Sequence, residues 1–236
     1  MWVIVRGRLW SSLPHRDILT VLKKISGKKL VEIEAAEFGR LLGLYDSVLI
    51  DIGTGDGKFV LTQARENSRM LCVGVEPAWE RVSQASNRAV RKPAKGGAPN
   101  ALFLCASAEN LPVELRNVAD LVTVNYPWGS LLSGICLARE NVISNLAGLG
   151  RAGAKLVINL NTAVFEDPLE REKLGLPDVN TDYVRTVMQE QFRRLGWRFA
   201  TAEFLSGQLP VSTTWGAQLV KGSMRNTLNI GFVLEN

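Results

Sequence analysis

The chain has 236 residues, 46% of them hydrophobic, and 28 Lys plus Arg against 23 Asp plus Glu for a net charge of +5. That length buries one full core, and no apolar run is long enough to span a bilayer or to act as a secretory segment after the start. His15 is the single histidine, which argues against a His-based triad, a His metal cluster or a histidine general base. Cys72, Cys105 and Cys136 lack metal-type spacing and read as reduced, buried packing residues of a cytoplasmic protein, so no metal is expected.

In chain order, the first informative stretch is Val48-Leu49-Ile50-Asp51-Ile52-Gly53-Thr54-Gly55-Asp56-Gly57. A short apolar run ends in an acid and a glycine-rich turn, and a helical pattern follows from Lys58. This predicts the strand–turn–helix opening of a nucleotide-type crevice, in which glycines let the backbone approach a ligand closely. The spacing Asp-x-Gly-x-Gly-x-Gly is not the dinucleotide pattern and lacks the Gly-Lys-Ser/Thr of a phosphate-binding loop. It resembles motif I of the S-adenosylmethionine-dependent methyltransferases, where Asp51 would meet the methionine ammonium.

A second apolar run, Met70 to Val75, ends in Glu76 about twenty residues past the turn, where an acid can accept two hydrogen bonds from a ribose diol. Leu102 to Ala106 precedes Ser107-Ala108-Glu109, and Asp120 to Val124 leads into Asn125-Tyr126-Pro127-Trp128. Strands alternating with helices at this pace predict an α/β, Rossmann-like domain, a mostly parallel sheet covered on both faces, with the ligand across the carboxyl ends of its strands.

Charge placement is more informative than its sum. Between Glu80 and Glu109 lie five cations and no acid, with Arg88, Arg91, Lys92 and Lys95 crowded at the end of a helix. Cations are mildly favourable at a helix C-terminus, but such an unopposed cluster beside a crevice also suits a phosphate backbone. The segment Phe165 to Glu172 is acidic and is expected to face away from nucleic acid. Trp128, after a strand-tip proline, and Trp215, within Ser212-Thr213-Thr214-Trp215-Gly216, have less reason to be core than Trp197. Two such rings can clamp a flipped base.

These residues together resemble the 16S rRNA adenine-N1 methyltransferases of aminoglycoside resistance, the Kam/Npm type. The resemblance is densest in Ile50–Gly57, Arg91-Lys92-Pro93-Ala94-Lys95-Gly96-Gly97, Ser107–Pro112 and Tyr126–Leu132. It implies a seven-stranded class I methyltransferase with an N-terminal hairpin, and S-adenosylmethionine as cofactor. The cofactor would be held by Asp51, Gly53, Thr54, Gly55, Gly57, Glu76, Pro77, Ala108, Glu109, Asn125 and Thr213. Trp128 and Trp215 would sandwich the decoding-site adenine, with the Pro127 carbonyl orienting it. Arg88, Arg91, Lys92, Lys95, Lys221 and Arg225 would grip 16S rRNA in the small ribosomal subunit, and docking there suits a monomer.

The resemblance also implies residues 1–21 as an N-terminal extension and 22–236 as a single methyltransferase domain, with Lys28–Ile33 in the hairpin. The chain departs from the family in having only Lys221 and Arg225 as cations after Trp215, and Leu174 in place of an arginine. Fewer phosphate contacts imply weaker, less salt-sensitive RNA binding. Three other readings stand beside this one. Asn125-Tyr126-Pro127-Trp128 resembles the Asn-Pro-Pro-Tyr motif of adenine-N6 methyltransferases, with Tyr126 in place of the first proline. The tRNA guanine-N7 methyltransferases pair a basic surface with a proline–tryptophan loop, and an idle RNA-binding protein would keep the pocket only as structure.

Overall fold

A computed structural model describes residues 3–5, 8–10, 22–206 and 226–235. β1 (Val3–Val5) and β2 (Arg8–Trp10) pair antiparallel in a sheet of their own. β3 (Leu22–Ser26) and β4 (Lys29–Ile33) form the hairpin, followed by α1 (Ala35–Leu42), β5 (Ser47–Ile52), α2 (Lys58–Glu66), β6 (Met70–Val75), α3 (Ser83–Ala89) and β7 (Ala101–Leu104). The second half runs β8 (Ala119–Asn125), α4 (Gly129–Cys136), α5 (Glu140–Leu149) and β9 (Gly150–Asn161). It continues through α6 (Ala163–Glu166), α7 (Pro168–Lys173) and a helical stretch over residues 181–194 to β10 (Trp197–Ser206) and β11 (Asn226–Leu234).

The main sheet has the order β10–β11–β9–β8–β5–β6–β7–β3–β4. β7, β6, β5, β8 and β9 run parallel, and β11 is antiparallel to both its neighbours. Nine strands replace the expected seven because the hairpin joins the sheet. Lys24 pairs with Leu104, and the Cys105 N–H donates to the Lys23 carbonyl at 2.8 Å. Without the hairpin, β7 would present a row of unpaired backbone groups at an open edge.

Both faces of the parallel strands are buried, so each strand reads as a continuous apolar run rather than an alternation. Leu49, Cys72 and Phe103 pack with Phe59, Val60, Val82 and Ala85 from the α2 and α3 side. Ile50, Val73, Val122 and Ile158 pack with Phe38, Leu132, Ile143, Met188 and Phe192 on the other. Trp197 is fully buried in that second cluster. Cys72 and Cys136 are buried, whereas Cys105, expected in the core, is partly exposed just beyond the tip of β7.

Strand order reverses at β5, whose two neighbours lead to opposite ends of the sheet. Ligands bind across the strand tips at such a switch point. Phe103 shapes the adjacent turn from below: a Cβ at Gly57 would lie 2.7 Å from its ring, and one at Gly74 would lie 2.8 Å from it. Gly57 also has φ +73°, the left-handed region that side chains resist.

Candidate cofactor and nucleic-acid site

The tips of β5 and β6 are tied together by backbone. Gly53 and Thr54 donate their N–H groups to the Val75 carbonyl at 2.9 and 3.1 Å. Glu76 then braces the glycine turn: Oε2 accepts the Gly55 N–H at 2.9 Å and Oε1 accepts the Ala78 N–H at 3.1 Å. One lone-pair direction on each oxygen remains for a diol.

Asp51 is 1% exposed, and its Oδ1 accepts from Thr123 Oγ1 at 2.7 Å and from Asn125 Nδ2 at 2.8 Å. Both bonds fall on one oxygen, so Oδ2 is the oxygen left to meet a ligand. Burial pushes this carboxyl up to about 6; the Thr123, Thr54 and Asn125 side chains work against that rise and the Glu76 charge adds to it. Thr54 Oγ1 is itself buried with no hydrogen bond of good geometry, though it lies near Asp51. A desolvated anion beside a polar group in want of a partner suits a cationic, hydrogen-bonding ligand. Behind Asn125 the amides continue, Asn159 Nδ2 donating to Asn125 Oδ1 at 2.8 Å and Asn229 Nδ2 to Asn159 Oδ1 at 2.7 Å.

The opposite wall is the turn after β8. Tyr126 adopts φ +50°, unusual for a bulky residue, held by its N–H to the Asn159 carbonyl at 2.8 Å and its hydroxyl at 3.2 Å from Thr227 Oγ1. That left-handed step projects Pro127 and Trp128 at the start of α4, and Trp128 is 52% exposed. For Glu109, burial is outweighed by its own backbone N–H, the Ser130 and Ser107 hydroxyls and the Arg139 charge, so its carboxyl sits below the ordinary range.

These walls enclose a cavity of about 1180 Å³. Asp51, Gly53, Thr54, Gly55, Glu76, Pro77, Ala108, Glu109, Asn125, Pro127 and Trp128 all border it. Gly57 does not; it caps α2 against Phe103. Thr213, Trp215, Lys221 and Arg225 lie outside the described residues. The acidic segment is a correction, since Asp167 and Glu170 border the cavity instead of facing away. They follow the tip of β9, at the same end of the sheet as the glycine turn after β5.

Arg88, Arg91, Lys92 and Lys95 are exposed on α3 and the turn after it, and none of them lines the cavity; contact with Arg65 places that turn by the C-terminal end of α2, away from the glycine turn. None forms an ion pair with a described residue, unlike some cations elsewhere, such as Arg193 and Arg194 with Glu190 and Arg171 with Asp178. The turn is set by the Lys92 carbonyl, which accepts the Lys95 and Gly97 N–H groups, and by Arg65, which donates to the Gly96 carbonyl. A Cβ at Gly97 would lie 1.7 Å from the Arg91 carbonyl oxygen, so only glycine fits there.

Residues 23–233 match the family NpmA, 16S rRNA (adenine(1408)-N(1))-methyltransferase. This chain belongs to that family. A 16S rRNA (adenine(1408)-N(1))-methyltransferase of Streptoalloteichus hindustanus is 34% identical over 200 residues, which cover 84% of this chain and 92% of the relative. One from Escherichia coli is 29% identical over 212 residues, covering 87% and 95%. A mutant 16S rRNA (adenine(1408)-N(1))-methyltransferase from Catenulisporales acidiphilia, solved with its cosubstrate SAM, superposes with a TM-score of 0.84 at 34% identity, covering 91% of this chain and 97% of that one.

Within this member of the adenine-1408 family, sequence reasoning missed Thr123, Asn159 and Asn229, the polar support beneath Asp51. The signal was present as asparagines inside apolar strand runs, Val157-Ile158-Asn159-Leu160 and Leu228-Asn229-Ile230, where asparagine is normally depleted. Among the described residues, no group of three or more His, Cys, Asp or Glu is placed to hold a metal ion, and no helix is long and apolar enough to cross a membrane.

Proposed function

We propose that this chain methylates N1 of adenine 1408 in the 16S rRNA of the small ribosomal subunit, and that it confers aminoglycoside resistance. The observation that carries the reading is one cavity with two unlike walls: a buried anionic floor at Asp51 and Glu76, and a half-exposed indole at Trp128 facing it across the strand tips. S-adenosylmethionine supplies the electrophilic methyl group of a sulfonium. Asp51 meets its ammonium, Glu76 its ribose, and the chain from Ala106 to Glu109 lines the rest of its site.

No general base is required, because neutral adenine already presents a lone pair at N1. The protein's task is placement, which can lower a barrier by several kcal/mol. Trp128 stacks on the flipped base, and Trp215 is assigned the other face. The Pro127 carbonyl accepts a hydrogen bond from the exocyclic amine and sets the base's direction. The methylated base carries a positive charge, which an indole face favours by roughly 0.5–2 kcal/mol. Arg88, Arg91, Lys92 and Lys95 anchor rRNA phosphates, joined by Lys221 and Arg225. We assign the protein to the cytoplasm as a monomer.

Reverse-transcription primer extension on 16S rRNA, from small subunits incubated with protein and S-adenosylmethionine, tests this directly. N1 methylation blocks the Watson–Crick edge, so a new stop at adenine 1408 is expected. Absence of that stop, with cofactor binding intact, overturns the assigned substrate.

A further inference from the structure

Three asparagines form a row across the sheet. Asn125 on β8 lies opposite Asn159 on β9, and Asn159 lies opposite Asn229 on β11. Residues in register share a face, so their amides meet. Asn229 donates to Asn159, Asn159 to Asn125 and Asn125 to Asp51, at 2.7, 2.8 and 2.8 Å. Asn159 is 1% exposed, with fully buried Ile158 and Leu160 on either side in the chain. Apolar residues would fill that row at lower desolvation cost. The amides are arranged for something packing does not require.

An amide side chain has a donor end and an acceptor end, and its neighbours decide which end points where. Asn125 can present either to Asp51. Its NH₂ supports the carboxylate, and its carbonyl would repel it. Asn159 settles the choice by donating to the Asn125 carbonyl, and Asn229 fixes Asn159 in the same sense. The Asn159 main-chain carbonyl also holds the Tyr126 N–H, at the root of the Pro127–Trp128 turn.

We infer that Asn159, oriented by Asn229, is a positioning residue that keeps the donor end of Asn125 on Asp51 and so keeps the cofactor-ammonium site anionic. This rests on the reading above that Asp51 meets that ammonium. The ionisable groups facing Asp51 are Glu76, across the glycine turn, and Cys72 on β6, whose thiol burial pushes up to about 12 and therefore neutral. Among the described residues no cation offsets the burial of Asp51, so its support is the Thr123 and Thr54 hydroxyls and, after them, the Asn125 amide at the end of the row.

The test is calorimetric titration of S-adenosylmethionine into the full-length protein, Asn159→Leu and Asn229→Leu, from about pH 5 to about pH 8, with thermal melts beside it. For the wild type, affinity should fall on acidification as Asp51 takes up a proton. In Asn159→Leu the fall should begin at higher pH, giving roughly ten-fold weaker binding near pH 6 and less than about three-fold near pH 8. Asn229→Leu should move the same way by less. A merely structural residue would lower melting temperature and leave the pH profile in place. Should Asn159→Leu fail to fold, the half-buried Asn229 decides the matter. Folded variants with the wild-type profile overturn the inference while the cofactor reading stands; a wild type that binds no S-adenosylmethionine removes that reading and the inference together.

Discussion

The floor and the outer wall of the cavity are built on opposite terms. At the floor, Asp51 and Glu76 are buried and already held by the protein: two backbone N–H groups on Glu76, and the Thr123 hydroxyl and Asn125 amide on Asp51. On the opposite wall Trp128 is half exposed, and on the outer surface Arg88, Arg91, Lys92 and Lys95 have no ion-pair partner among the described residues. A small ligand can be met by a site assembled in advance. On the proposed reading, a ribosomal surface would be met by groups left solvated, whose partners arrive with it.

The largest expected effect breaks the floor. Asp51→Asn should weaken S-adenosylmethionine binding by roughly 100- to 1000-fold, the range for stranding one member of a buried ion pair. The same change should stabilise the unliganded protein at neutral pH by up to about 3 kcal/mol, since Asp51 titrates near 6 instead of 3.8. Asn keeps the Oδ1 acceptor that Thr123 and Asn125 use. Calorimetry and thermal melts read the two effects separately, and a coincident loss of stability and binding would refute the desolvated anion.

Trp128→Ala should break the other wall alone. Stacking on a base is worth about 1–3 kcal/mol, so methylation of small subunits should fall roughly 10- to 100-fold while cofactor affinity stays within about three-fold. Methylation at the wild-type rate would remove Trp128 from the acceptor site.

Acidity sharpens the comparison from the floor's side. Asp51 has a raised carboxyl, so between 3.8 and about 6 the folded state holds more protons than the unfolded one. The stability of the unliganded protein therefore falls as pH rises through that window, and the full cost is present above it. Cofactor binding runs in the reverse sense, strengthening through the same window as the carboxylate forms. Thermal shift by S-adenosylmethionine should thus be clearly larger near pH 7.5 than near pH 5, by up to about ten-fold in affinity per pH unit below the titration. An equal shift at both values would contradict a carboxylate-dependent site.

Smaller effects belong to the basic edge. Arg91→Ala should weaken binding to small subunits several-fold, reduce the salt dependence by about one phosphate contact and leave cofactor binding alone. Gly97→Ala should do more than that to subunit binding, because it must displace the Arg91 backbone on which the turn is folded. Arg193→Ala, which removes an exposed pair with Glu190 far along the chain, is the control and should change neither.

The floor was legible because its signals are local. An acid and three glycines within seven residues announce a strand tip and a tight turn, and Glu76 stands one strand later at the expected distance. Trp128 was legible for a similar reason, a tryptophan after a proline at a strand end. The amide row was not, since nothing in the chain places residue 229 beside 159 until β11 has returned antiparallel between β9 and β10. The acidic segment was misplaced on charge alone; the chain's exit from β9 outweighs composition and carries Asp167 to the cavity. The strand count failed because edge pairing of the hairpin is settled by the exposed edge of β7, a partner far away in the sequence.

Phe103 has a wider consequence. Its ring lies beneath Gly57 in the glycine turn and beneath Gly74 in β6, and at both it occupies the space a methyl group would need. Three positions scattered over nearly fifty residues are therefore one steric unit. In relatives they should vary together, a smaller side chain at 103 accompanying alanine at 74, and an engineer who enlarges either glycine must first shrink the ring. Gly74 should accept alanine on those terms, while Gly57, with its left-handed backbone, should refuse it even then.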